Sequence, residues 1–292
     1  MAAMPRLRQG SNGQTNDTAS ADDRPTLGQP YLDWLERTWQ GDMRELREGR
    51  YLHQQADLRQ AFETSAYWHE VSARLQRWAD SYRKKTKAPL FQGVPTLPSL
   101  LNKSWQSFLD RSWRENVDGN QNWDREPKNG WWLPDNWFER AWDIVRARFV
   151  VRDLDGAREL AEQLRDCAER RPFKLETKLD EEAKPNGYYG YHVYVRQPFA
   201  VAALDYDGEQ SRWSQIEIQV MTQMAEVISE LTHPYYEQRR VSGAPGALPL
   251  LDPTSEEADA VGLGQQSREL ERKVLQLRMK IHELRARGSR AT

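Results

Sequence analysis

Residues 214–222 read Ser-Gln-Ile-Glu-Ile-Gln-Val-Met-Thr. In an extended chain Ile216, Ile218 and Val220 fall on one side and Glu217 and Gln219 on the other. This predicts a strand over 214–220 with one apolar and one polar face. A helix is expected to follow, because Met221, Met224, Ile228 and Leu231 share one helical face. Upstream, Ile144 to Val151 is rich in β-branched residues and predicts a second strand. Phe173–Leu179 and Tyr191–Val195 also alternate and predict two more. Asp155 is a candidate N-cap for a helix from Gly156 to Arg170. Strands interleaved with helices in this way predict an α+β fold, a mixed β-sheet flanked by helices.

Outward from this centre the pattern changes. Residues 1–29 are polar and almost free of large apolar side chains, which predicts a disordered tail. Residues 30–82 read as a helical region, with Val71, Leu75, Trp78 and Tyr82 on one face. Pro89, Gly93, Pro95 and Pro98 mark a loop, and a short helix is expected from Ser99 through Leu109. A polar stretch then carries Trp123, Trp131, Trp132, Trp137 and Trp142, read as a hydrophobic cover. Residues 83–240 form the expected main domain and 241–264 a Gly- and Pro-rich linker. In 265–292, Leu270, Val274, Leu277, Ile281 and Leu284 step by 4, 3, 4, 3, the seam of a coiled-coil-like C-terminal helix.

Composition narrows the function classes. The 292 residues carry 42 basic and 44 acidic side chains, a net charge of -2. Nucleic-acid contact would therefore need a local patch, and Arg239 and Arg240 are a thin one. The longest apolar run, Phe199 to Leu204, is too short to span a bilayer. The single cysteine, Cys167, leaves no disulfide framework and no Cys-based zinc site. There is no GxxxxGK[ST] loop, and no His-Asp dipeptide of a metal-dependent phosphohydrolase. A cytoplasmic protein is expected.

Three segments stand out together. Asp143-Ile-Val-Arg146-Ala-Arg148 sets a carboxylate at a strand start beside two cations. Lys184-Pro-Asn186-Gly187-Tyr188-Tyr189-Gly190-Tyr191-His192 makes a turn and leads aromatics into a strand. Glu217 sits on the polar side of an otherwise apolar strand, where a carboxylate is costly to bury without a partner. Two carboxylates on neighbouring strands can hold Mg²⁺. Arg and Tyr stack on bases, and Lys and Arg neutralise phosphates. The combination points to Mg²⁺-dependent chemistry on a nucleoside triphosphate. Bland readings stand beside it: Tyr188, Tyr189 and Tyr191 as sheet-packing aromatics, Arg83–Lys87 as a solvated helix end, Asp153-Leu-Asp155 as a turn and cap, and His233-Pro-Tyr-Tyr as a helix terminus.

In order, the segments resemble the synthetase domain of the RelA/SpoT family, particularly the small alarmone synthetases. That family carries D-x-x-G-x-R, N-G-Y-x-S-x-H and E-x-Q-x-x-T. Here they stand at Asp143–Arg148, Asn186–His192 and Glu217–Thr222. Arg83-Lys-Lys85 and Ser99-Leu-Leu-Asn-Lys103 look like its upstream R-x-K and S-x-x-x-K, the latter on a helix. The resemblance implies a nucleotidyltransferase-like fold and transfer of pyrophosphate from ATP to the ribose 3′-hydroxyl of GDP or GTP, releasing AMP. Asp143 and Glu217 would be catalytic and hold Mg²⁺, Glu217 helping to activate the acceptor hydroxyl. Arg83 and Arg148 would sandwich the adenine, and Lys85 and Lys103 would bind phosphates. Tyr188 would stack on the acceptor base, with Asn186, His192 and Gln219 shaping that pocket. Arg146 replaces the family glycine, and Tyr189 and Met221 replace polar acceptor-side residues. These departures keep open a toxin-like synthetase that modifies the 3′ end of tRNA or an adenine nucleotide, with an antitoxin as partner. A third reading is an inactive nucleotide-sensing module. The C-terminal seam implies a homo-oligomer.

Overall fold

The computed structural model describes residues 24–39, 47–184, 187–202, 209–241 and 255–288. The first 23 residues of the expected tail, residues 242–254 of the expected linker, and Asn186 lie outside the described residues.

A five-stranded mixed sheet organises the fold. It comprises β1 (Leu101–Asn102), β2 (Val145–Val151), β3 (Glu176–Ala183), β4 (Tyr189–Ala202) and β5 (Glu209–Thr222), in the order β1-β2-β5-β4-β3. Strands β2 and β5 run parallel and every other pair is antiparallel. The predicted strands are present, but β3 begins at Glu176 because Lys174, at φ 51, belongs to a turn. Strands β4 and β5 run beyond the predicted segments, with paired registry continuing from Tyr191↔Val220 out to Ala202↔Glu209.

Registry fixes the faces. Arg146, Glu217, Tyr194 and Lys178 form one row across β2, β5, β4 and β3, and Arg148, Gln219, His192 and Asp180 the next. Side chains alternate along a strand, so these rows share one polar face. Ala147, Phe149, Ile216, Ile218, Val193 and Val195 occupy the other, and each is buried. That apolar face is covered by helices. In α3 (Ala66–Thr86), Val71, Leu75, Trp78 and Tyr82 are buried as their spacing predicts, and Trp68 meets the Phe149 ring at 6.0 Å. In α6 (Leu154–Glu169), Leu160, Ala161 and Leu164 are buried, and Leu164 O accepts from Tyr67 Oη at 3.2 Å. Ahead of α3 lie α1 (Gln29–Thr38) and α2 (Glu48–Glu63).

Several expectations need correction. The stretch Ser99–Lys103 is not helical: Leu101 and Asn102 pair with Arg146 and Val145, and Lys103 N–H donates to Ile144 O at 2.9 Å. The helix, α4, starts at Trp105 and runs to Trp113, capped by the Ser104 hydroxyl, which accepts from Ser107 N–H. The N-cap position of α6 is Asp153, not Asp155, and its carboxylate makes no capping bond because Arg278 takes it at 2.6 Å. His233-Pro234 does not end a helix. Helix α7 (Gln223–Val241) continues through Pro234 while packing along the last helix, so tertiary contact carries it past the hydrogen bond a proline removes.

The last helix, α8 (Glu256–Gly288), begins inside the expected linker and docks on its own domain. Arg278 bonds Asp153 and Asp155, and Glu271 accepts from Thr222 Oγ1 at 3.0 Å and from Tyr189 Oη. The docked side is polar. The predicted seam, Leu270, Val274, Leu277, Ile281 and Leu284, is exposed. Among the described residues no helix is long and apolar enough to cross a membrane.

Candidate active site

The polar face of the sheet holds two adjoining clusters. The first surrounds Asp143, just ahead of β2. Its Oδ2 accepts from Lys103 Nζ at 2.7 Å, and its Oδ1 is 3.2 Å from Arg111 Nη1. Both Lys103 and Asp143 are largely buried. Lys103 is held from behind by α2: its carbonyl accepts from Tyr51 Oη at 3.0 Å and from Gln55 Nε2 at 2.9 Å. The same Gln55 amide donates to Ile144 O at 2.9 Å, which ties β1 to the start of β2. Burial works to raise the Asp143 pKa, but the charges of Lys103 and Arg111 outweigh it and hold the carboxyl below its ordinary value. Burial pulls Lys103 down, and its carboxylate partner offsets this only in part, with Arg146 and Arg111 pressing the same way as burial.

The second cluster lies across β4 and β5. Glu217, Gln219 and His192 are each buried to below a tenth of their exposure. His192 Nδ1 is 2.8 Å from Glu217 Oε1, and Nε2 is 2.6 Å from Tyr188 Oη. A carboxylate only accepts, so Nδ1 is the donor to Glu217, and Nε2 faces the Tyr188 hydroxyl. Burial, reinforced by the charges of Glu217 and Glu182, pushes the Tyr188 pKa well up, which keeps that hydroxyl protonated. Glu217 Oε2 accepts from Gln219 Nε2 at 3.1 Å, and Arg148 Nε donates to Gln219 Oε1 at 3.2 Å. The chain Tyr188–His192–Glu217–Gln219–Arg148 is continuous.

Of the residues read from sequence, the structure brings Asp143, Lys103, Arg148, Tyr188, His192, Glu217 and Gln219 onto this face. It does not bring Arg83 and Lys85. Both lie in the last turn of α3, on the helix-covered side, where Lys85 pairs with Glu159 of α6 at 2.7 Å. Their position is set by the packing of α3 on α6. Tyr189 is also turned away from the site. It pairs with Ala183 of β3, packs beside Met221 and Ala225, and its hydroxyl goes to Glu271. Sequence reasoning missed Arg111, because the two indoles that flank it, Trp132 and Trp142, lie 21 and 31 residues further along the chain.

Glu217 lies opposite Arg146 of β2, whereas Asp143 precedes that strand by two residues. Both Glu217 oxygens face side-chain donors, His192 Nδ1 at Oε1 and Gln219 Nε2 at Oε2. Among the described residues no group of three or more His, Cys, Asp or Glu side chains is arranged to hold a metal. Asp143 fits differently. Its Oδ1 is buried and accepts no hydrogen bond, and one carboxylate oxygen with substrate phosphates suits Mg²⁺.

No family model and no curated protein matches this chain. Solved structures similar to it include small alarmone synthetase 1 from Bacillus subtilis bound to its product pppGpp, 16% identical over 76% of this chain and 97% of that one, with a TM-score of 0.47. A GTP pyrophosphokinase family protein from Streptococcus pneumoniae is 16% identical over 82% and 97%, with a TM-score of 0.46. Small alarmone synthetase 2 from Bacillus subtilis is 15% identical over 73% and 96%, with a TM-score of 0.43.

Proposed function

We propose that this protein transfers a pyrophosphoryl group from ATP to the ribose 3′-hydroxyl of a guanine nucleotide, GDP or GTP, releasing AMP. The observation that carries this reading is the pairing on one sheet face of a cation-flanked carboxylate, Asp143, with the Tyr188–His192–Glu217 chain. The donor phosphates would lie at Asp143 with Lys103 as a neighbouring point charge. Mg²⁺ held by Asp143 would supply further neutralisation of the phosphates when bound. Arg148, on the same face, would meet the adenine. The acceptor would lie at Tyr188, with Gln219 and His192 behind it and Asn186 as a further contact. His192 would draw the proton of the acceptor hydroxyl through Tyr188, and Glu217 would stabilise the imidazolium that forms. Most of the work is positioning and charge neutralisation, as in phosphoryl transfer generally.

The test is direct. The protein is incubated with Mg²⁺ and ATP labelled in its β and γ phosphates, with GDP, GTP, ADP and tRNA offered separately. Label is expected on the guanine nucleotides together with AMP. Label on tRNA or ADP would move the reading to the toxin-like branch, and nucleotide binding without transfer would make the chain a sensor.

A further inference from the structure

The Asp143 cluster holds more positive charge than its carboxylate needs. Lys103 at 2.7 Å already matches the single charge of Asp143, yet Arg111 stands 3.2 Å from the other oxygen. Arg146 adds a third cation, with a buried Nε that has no hydrogen-bond partner. Among the described residues Arg111 donates no side-chain hydrogen bond, although a guanidinium offers five N–H groups in a planar fork. Besides the Asp143 carboxylate, what holds it is aromatic. Its guanidinium carbon lies 5.5 Å from the Trp132 ring centre and 5.9 Å from that of Trp142. Such faces attract the cation without using its hydrogen-bonding edge.

The position is also specific. Arg111 occupies the last turn of α4, which passes at once into a π-helical turn at Arg114–Asp118, an irregularity common beside functional sites. Trp142 meets Tyr194 edge-on at 5.2 Å, and the Tyr194 hydroxyl reaches Glu217 at 3.5 Å. Arg111 therefore stands where the Asp143 cluster adjoins the Glu217 cluster.

We propose that Arg111, seated between Trp132 and Trp142, is a phosphate-binding residue that meets the transferred pyrophosphoryl group between the two clusters. The role as a catalytic cation rests on the pyrophosphotransferase reading, whereas the anion site itself does not. No bond to Arg111 forms or breaks; its fork takes charge that builds on the phosphoryl oxygens. This also accounts for part of the Trp-rich stretch. Trp123 and Trp131 pack on Trp34 of α1 and Trp137 on Phe108, while Trp132 and Trp142 orient the cation.

Two readouts on the full chain test it. Inorganic tripolyphosphate, without divalent metal, is titrated by calorimetry and by tryptophan fluorescence. The label transfer gives kcat and KM. Arg111→Ala and Arg111→Lys should each weaken tripolyphosphate about tenfold or more, with kcat falling further than KM rises. Arg111→Lys keeps the charge and the alkyl stem, so it remains informative if the alanine variant folds poorly. Arg165→Ala, a cation on α6 away from the site, should bind as the wild type. Tripolyphosphate binding by Arg111→Lys equal to wild type, or no binding by the wild type, overturns the inference. Wild-type protein that binds tripolyphosphate through Arg111 but transfers no label would instead sink the reaction and keep the anion site.

Discussion

Across β4 and β5, His192 and Glu217 stand on a diagonal, with imidazole Nδ1 2.8 Å from carboxylate Oε1. The carboxylate is buried, so in the proposed reaction its effect on a substrate would pass through the ring. In Glu217→Gln the amide is the same size but lacks the charge that would stabilise an imidazolium. Label-transfer kcat should fall by about 10²–10⁴, the range of general acid–base contributions, with acceptor KM little changed. Wild-type turnover by this variant would remove the imidazole from the mechanism.

Lys103→Ala leaves Asp143 buried with Arg111 as its remaining close ion-pair partner. Breaking a buried pair in this way should cost about 3 kcal/mol of folding stability. Lys103→Met with Asp143→Asn should recover most of that loss, because neither buried charge remains. Urea midpoints for the two variants check this, and a double variant no more stable than the single one would contradict it.

Acid should act on the same carboxylate. The Asp143 pKa is lower in the folded chain than its ordinary value. The unfolded chain therefore takes the proton first. The contribution to stability is complete above the unfolded pKa of about 3.9 and is lost as pH falls through the folded-state value. Asp143→Asn should flatten the fall of the urea midpoint below about pH 4. A variant curve parallel to the wild type would show that other groups control acid unfolding.

Gly187 and Gly264 meet backbone to backbone. A Cβ on Gly264 would lie 2.7 Å from the Gly187 Cα, and Gly187 itself has φ +86. Gly264→Ala must therefore push α8 off the turn that leads into Tyr188. Amides of α8 should exchange faster, and acceptor KM should rise several-fold with the KM for ATP unchanged. Arg278→Ala should speed the same exchange by releasing Asp153 and Asp155. Unaltered exchange in both variants would mean that α8 is held by other contacts.

The seam of α8, Leu270 through Leu284, is exposed, and the homo-oligomer expected from its spacing can be tested. Deleting residues 265–292 is expected to lower the assembled mass measured by light scattering; an unchanged mass would refute a role for this helix in assembly.

Alternation in 214–220 and the β-branched run at 144–151 marked the two central strands, and the spacing of Val71, Leu75, Trp78 and Tyr82 marked α3. Glu217 was legible as a functional candidate because its isoleucine neighbours set which way it points. Local pattern determines such features, since the pleat and the helical turn relate residues only a few places apart. Tertiary structure decided which charges meet. Lys103 and Asp143 are 40 residues apart and join because β1 pairs with β2. Arg83 and Lys85, adjacent to a matching motif, are carried off with α3 to the other side of the sheet. Arg111 gains its place from indoles brought in by a later loop, and α8 turns a polar side inward because Asp153, Asp155 and Tyr189 offer it partners. Long-range pairing of this kind depends on which surfaces fit once the chain is compact, and no short window of sequence contains that information.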